Sequence, residues 1–194
     1  MHCVRTDENI DYTGVKMVHG QQPVSQATVN ELINDLGSKD GIVRQKARAA
    51  LVRIGPPALE SVTRIFETKR HAYTHWEAAK AISAIGGPGA VTPLLHALGD
   101  DDFSIRWIAA EGLIALGGSI LEPLAKFMAE EDFATFYCEA AHHVIHDLIS
   151  RHIIDDETIA HVEPLKKSLE KSASSTEISL EASKLLQWLQ SNAG

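Results

Sequence analysis

The sequence predicts an all-α protein in which about five helical hairpins stack as an α-solenoid, and three observations carry that prediction. The first is a repeat: Val43-Arg44 to Ile54-Gly55, Thr74-His75 to Ile85-Gly86 and Ile105-Arg106 to Leu116-Gly117 are the same pattern, each shifted by 31 residues. Self-similarity at this period marks a stacked array in which each unit buries its apolar face only against its neighbours. The second is the spacing of apolar residues inside each unit, by threes and fours, which puts them on one face of a helix. The third is composition: Ala, Leu, Ile and Glu are abundant and aromatics are only 6%, as suits helices packed through small aliphatic side chains.

Residues 1–24 lack any periodicity and are expected to form a flexible N-terminal tail, leaving 25–194 as one repeat domain. Thr28 followed by Glu31 reads as a capping box opening the first helix. From there a shorter first helix alternates with a longer second one. First helices are expected near 28–37, 57–68, 89–98, 119–129 and 156–171, and second helices near 41–54, 72–85, 103–116, 134–150 and 176–191. Gly55-Pro56-Pro57, Gly86-Gly87-Pro88 and Gly117-Gly118 end the second helices, since Gly tolerates the left-handed conformation and, in the first two, the following Pro cannot extend the helix before it. Acidic residues at Asp40, Asp100 to Asp102 and Glu130 to Asp132 mark the turns within each hairpin, where a carboxylate caps the next helix. In the fourth unit Glu139-Ala140-Ala141 matches Glu77-Ala78-Ala79 at twice 31, whereas Leu148 fits the apolar pattern better with one inserted residue. Residues 151–194 keep helical periodicity without the signature, as a divergent capping repeat does.

The columns 43/74/105, 47/78/109, 51/82/113 and 54/85/116 form the expected buried stripe of the second helices. Ala47, Ala78 and Ala109 make one column all alanine, which lets neighbouring helices approach to about 8–10 Å. A net charge of −8 without a long basic run argues against a nucleic-acid partner. No apolar run spans a bilayer and the first 24 residues hold no signal-peptide core, so the expected location is cytoplasmic and off the membrane. Cys3 and Cys138 lie far apart and form no CxxC pair, so reduced thiols are expected.

The pattern Asp40-x-x-Val43-Arg44-x-x-Ala47-x-x-Ala50-Leu51-x-x-Ile54-Gly55 returns as Asp102-x-x-Ile105-Arg106-x-x-Ala109-Ala110-x-x-Leu113-x-x-Leu116-Gly117. Over roughly residues 28–150 it resembles the short HEAT-like repeats of phycobilisome (bilin) lyases. That resemblance implies a HEAT-like or armadillo-type superhelix whose second helices line a concave surface. It also implies a spread of functions, among them scaffolds, hydroxylases and nucleic-acid enzymes. The HEAT-like deoxyhypusine hydroxylases hold two irons through His-Glu dipeptides; this chain has ten histidines and no His-Glu pair.

Projected at 100° per residue, the columns 45/76/107 and 49/80/111 lie opposite the buried stripe. They put Trp76 and Trp107 one repeat apart on a face otherwise solvated, with Glu77, Lys80 and Glu111 as polar partners of a binding surface. Trp is the side chain most enriched at interface hot spots; the alternative is that both rings lie flat and fill the grooves between repeats. Glu139, His142, His143 and His146 share a helix at ligand spacing and are the candidate site for zinc or iron, which Glu111 would complete; no other cofactor is expected. Arg44, His75 and Arg106 occupy one column at the start of the second helices and are expected to fix the stacking angle between repeats, through bidentate contacts to carboxylates or bonds to the ends of neighbouring first helices. Cys138 is a conceivable thiol nucleophile, and Trp188 is expected to seal the last repeat. With no phosphate loop, nucleophile elbow or Rossmann fingerprint, the expectation is a non-catalytic scaffold that binds another protein or a peptide segment. The alternatives are a bilin-binding or lyase-accessory protein and a small metal-dependent enzyme.

Overall fold

The computed structural model describes residues 25–69, 71–130, 135–171 and 173–192, with the side chains of residues 135 and 136 excepted. The expected N-terminal tail and the acidic turn at residues 131 and 132 lie outside the described residues. Ten α-helices follow one another, with no strand among the described residues: α1 (Gln26–Asp35), α2 (Gly41–Ile54), α3 (Pro56–Glu67), α4 (Ala72–Ile85), α5 (Pro88–Ala97), α6 (Phe103–Ala115), α7 (Leu121–Glu130), α8 (Thr135–Ser150), α9 (Asp156–Glu170) and α10 (Ser175–Ser191). A 3-10 turn, Gly117–Ile120, leads into α7, so that helix begins later than its apolar pattern suggests.

Local chemistry explains the boundaries. Asp40 accepts a hydrogen bond from the Ile42 N–H at 2.8 Å and Asp102 from the Ser104 N–H at 2.7 Å, so the acidic turns do cap α2 and α6. At the start of α1 the cap is Ser25, whose Oγ accepts from the Thr28 N–H at 3.2 Å; Thr28 sits inside the helix rather than before it. Gly55 and Gly86, at φ 73° and 62°, end α2 and α4 in the left-handed region that a side chain disfavours. Gly112 answers a different demand: a Cβ there would lie 2.7 Å from Ser83 Oγ, so α6 approaches α4 where it has no side chain.

The helices form two layers. In the first, α1, α3, α5 and α7 pack side by side; in the second, α2, α4, α6 and α8 do the same. The buried stripe runs between them through Ala47, Leu51, Ala78, Ile82, Ala109 and Leu113, all buried, while Ile54, Ile85 and Leu116 at its end are half-buried. In α8 the stripe continues through Ala141, Ile145 and Leu148, which places the inserted residue within the fourth unit. Glu139 therefore falls in the column of Trp76 and Trp107, Ala140 in that of Glu77, and His143 in that of Lys80 and Glu111.

The fifth hairpin reverses the layer order. Helix α9 packs on α8 and α10 packs on α7, so the first-come helix joins the second layer and the last helix the first. Ser179 Oγ on α10 donates to the Ala129 carbonyl of α7 at 2.8 Å. The connection after α8 lacks the Gly-Pro break: it turns through His152 at φ 55° and lays Ile153 and Ile154 against Gly117 and Gly118. Trp188 then stacks on His161 with ring centroids 4.1 Å apart, closing α10 onto α9.

The column of Arg44, His75 and Arg106 ties each hairpin to its own turn. Arg44 Nη1 donates to the Ser38 and Lys39 carbonyls at 2.7 and 3.2 Å, and Arg106 Nη1 to those of Asp100 and Asp101 at 2.8 and 3.1 Å. His75 takes the same role through Nδ1, which donates to the Phe66 carbonyl at 3.0 Å, while Nε2 meets Asp100 Oδ2 at 2.9 Å. Burial alone would raise the Asp100 pKa, but bonds from the Asp102 N–H, His75 and Lys69 outweigh it and hold the carboxyl below its ordinary value. The stabilisation from Asp100 is accordingly in force at neutral pH and is lost as pH falls through that lowered value.

Candidate functional site

The outer ridge of the second layer carries an exposed apolar stripe. Trp76 and Trp107 are 37% and 49% exposed, so neither ring is sealed in a groove between repeats. Three further side chains extend the stripe: Ile42, Tyr73 and Phe103 are 63%, 59% and 66% exposed, all on the first turns of α2, α4 and α6. Projection onto two columns missed them, although Ile42 and Tyr73 are one repeat apart and Phe103 lies one helical turn before Trp107.

Each ring has a polar companion. The Lys80 ammonium stands 3.9 Å from the Trp76 ring centroid, and the Arg44 guanidinium 4.3 Å from that of Tyr73. Burial, reinforced by Arg48 and opposed by Glu77, lowers the Lys80 pKa. Trp107 stacks on His143 of the next unit, centroids 4.7 Å apart, and tilts toward Phe103 at 6.4 Å. One side of each indole is thus braced by its own chain while the rest stays open to solvent.

Glu77 does not belong to this surface. It is buried, its carboxylate 2.7 Å from Arg48 Nη1 and 3.8 Å from Arg44 Nε, and it joins α4 to α2. The reason is local: position 77 turns toward the preceding helix, and two arginines there compensate a carboxylate taken out of water. Glu111 does stay on the ridge, with Oε1 3.3 Å from His143 Nε2.

Between α6 and α8 the ridge opens into a cleft of about 180 Å³ lined by Phe103, Trp107, Ala110, Glu139, Ala140 and His143, with Arg106 at its edge. Its cause is a pair of small residues. Where α2 and α4 fill the corresponding groove with Arg48 and Glu77, α6 and α8 offer Ala110 and Ala140. A wider depression of about 510 Å³ lies on the first layer between α3 and α5. Of its three charged residues, Glu60, Arg64 and Glu67, the first two bond to each other at 2.7 Å.

The expected metal quartet is not brought together. Helix α8 turns His143 toward Trp107 and Glu111 of α6. His142 instead faces Lys166 and Glu170 of α9, and His146 lies beside it with ring centroids 6.0 Å apart. Burial, with smaller contributions from Lys166 and the two neighbouring histidines and against Glu170, lowers the His142 pKa, so this imidazole is neutral at neutral pH. Glu139 is exposed at the cleft with His143. Cys138 is buried, and burial together with Glu139 pushes its thiol pKa up against its own backbone bond, which suits a packed thiol and not a nucleophile.

Residues 29–115, the span of α1 to α6, match the family model for HEAT repeats. That match is to HEAT repeats in general and does not single out the bilin-lyase type. No curated protein matches the chain. Among the described residues no helix is long and apolar enough to cross a membrane.

Proposed function

We propose, for a chain that is a HEAT-like repeat protein, that it serves as a non-catalytic scaffold whose second-layer ridge grips a segment of a partner protein in the cytoplasm. HEAT repeats are commonly protein-interaction scaffolds. The observation that carries the reading is the stripe of Ile42, Tyr73, Trp76, Phe103 and Trp107, large apolar side chains that folding leaves in part open to water. Large apolar groups held on a rigid ridge at low entropic cost are what interface hot spots are made of. Lys80 at one end and Glu111 and Glu139 at the other supply a polar rim of opposite signs. A buried Cys138 with a raised pKa supports the non-catalytic part of the reading.

The test compares wild type with the Trp76→Ala/Trp107→Ala variant as bait in an extract of the source cells. The expected outcome is loss of a stoichiometric partner with helicity and melting cooperativity retained, since both rings are substantially exposed. Retention of the partner by the double variant would refute the ridge as its binding surface. A flat tetrapyrrole would have to use the same apolar ridge, so purified protein that is coloured and bleaches in that variant would move the reading to pigment binding.

A further inference from the structure

We propose that Glu111, His143 and Asp147 form a binding site for a divalent transition-metal ion of the zinc class. The proposal stands apart from protein binding and does not depend on it. The three residues each offer one donor atom, and these atoms lie within 4.8 Å of one another. Two come from successive turns of α8 and the third from α6, so folding assembles the set across two repeats.

Two of the three side chains are braced before any ion arrives. His143 is fixed by stacking on Trp107. Asp147 is half-buried and paired with Arg151, one turn further along α8, which orients the carboxylate. Ligands about 2.0–2.1 Å from a tetrahedral zinc stand about 3.3 Å apart. The His143 Nε2 to Glu111 Oε1 separation is 3.3 Å. That distance is long for a charge-assisted hydrogen bond and fits two donors on one ion. One imidazole with two carboxylates favours a borderline cation over calcium or magnesium, which take all-oxygen sets. Three protein donors leave a coordination position for water or for a carboxylate of a bound partner, and the site shares His143 with the cleft at Trp107.

The experiment uses full-length untagged protein stripped with EDTA and titrated with zinc chloride by calorimetry. Copper(II) quenching of tryptophan fluorescence serves as a second readout, because a paramagnetic ion at His143 would sit beside the Trp107 ring. One equivalent of zinc is expected, bound more tightly than manganese or magnesium. Glu111→Gln and Asp147→Asn should each weaken binding about tenfold or more, and His143→Gln should abolish it. His142→Gln and His146→Gln should leave it unchanged. Melting of each stripped variant establishes that it is folded; because Glu111 is only half-buried and Gln matches its size, Glu111→Gln keeps the test valid if a change at His143 disturbs packing. The proposal is overturned if wild type takes up no stoichiometric zinc, or if uptake survives His143→Gln and is lost with His142→Gln or His146→Gln.

Discussion

A chain ended at residue 171, without α10, is expected to lose protection in α7 before α8. The prediction comes from the reversed terminal hairpin, in which α10 covers the first layer. Ile178, Ala182 and Leu185 are buried, and Leu186, Trp188 and Leu189 are half-buried against the core. At about 1.5–3 kcal/mol for each large apolar side chain fully buried, their loss removes about 5 kcal/mol. That is comparable with the whole stability of an ordinary domain, so a strongly lowered or broadened melt should follow. Hydrogen exchange locates the damage. Amides of residues 121–130 should exchange faster, and the Ser179 contact to Ala129 should be gone. Faster exchange confined to α8 would instead mean that the last helix stacks in regular solenoid order.

Glu77→Met is the second large effect. Removal of one partner from a buried ion pair costs about 3–5 kcal/mol when the remaining charge has no replacement. Arg44 and Arg48 keep partial access to water, with side chains 15% and 20% exposed, so a value near the lower bound, about 3 kcal/mol, is expected. For a chain of this length that lowers the melting temperature by about 6–12 °C. Arg48→Met added to Glu77→Met should recover most of the loss, because an apolar pair of similar volume needs no compensation. The coupling energy from the double-mutant cycle is the measurement. Additive losses would show that Glu77 is not held by Arg48.

These two effects also mark the limits of reading from sequence. The boundaries of α2 and α4 were legible because each is written locally, in an Asp40 cap or an Ile-Gly ending. Which helix covers which was not legible for α9 and α10, since periodicity names the face that is buried and not the neighbour that buries it. Glu77 looked like a ridge residue because carboxylates are rarely buried. Its burial depends on Arg48, 29 residues away in the chain.

The candidate site divides in the same manner. Trp76 and Trp107 are exposed on the ridge, with Lys80 against the first ring and Glu111 beside His143; Tyr73 and Phe103, three and four residues before the two tryptophans, share that face by helical spacing but lie outside the two projected columns. The histidines of α8 share one helix in sequence, but a helix turns 100° per residue. His142 and His143 therefore face different neighbours, α9 and α6. Asp147 gained its meaning only from Glu111 across the groove.

Site-specific photo-cross-linking maps which layer the partner touches. A benzophenone amino acid placed at Trp76, at Trp107 or, on the first layer, at exposed Arg64 would be irradiated in extract of the source cells, and adducts identified by mass spectrometry. One and the same polypeptide is expected to be joined at positions 76 and 107 and to be absent from position 64. Adducts at position 64 with none at 76 or 107 would place the partner on the first layer and rule out the ridge as its binding surface.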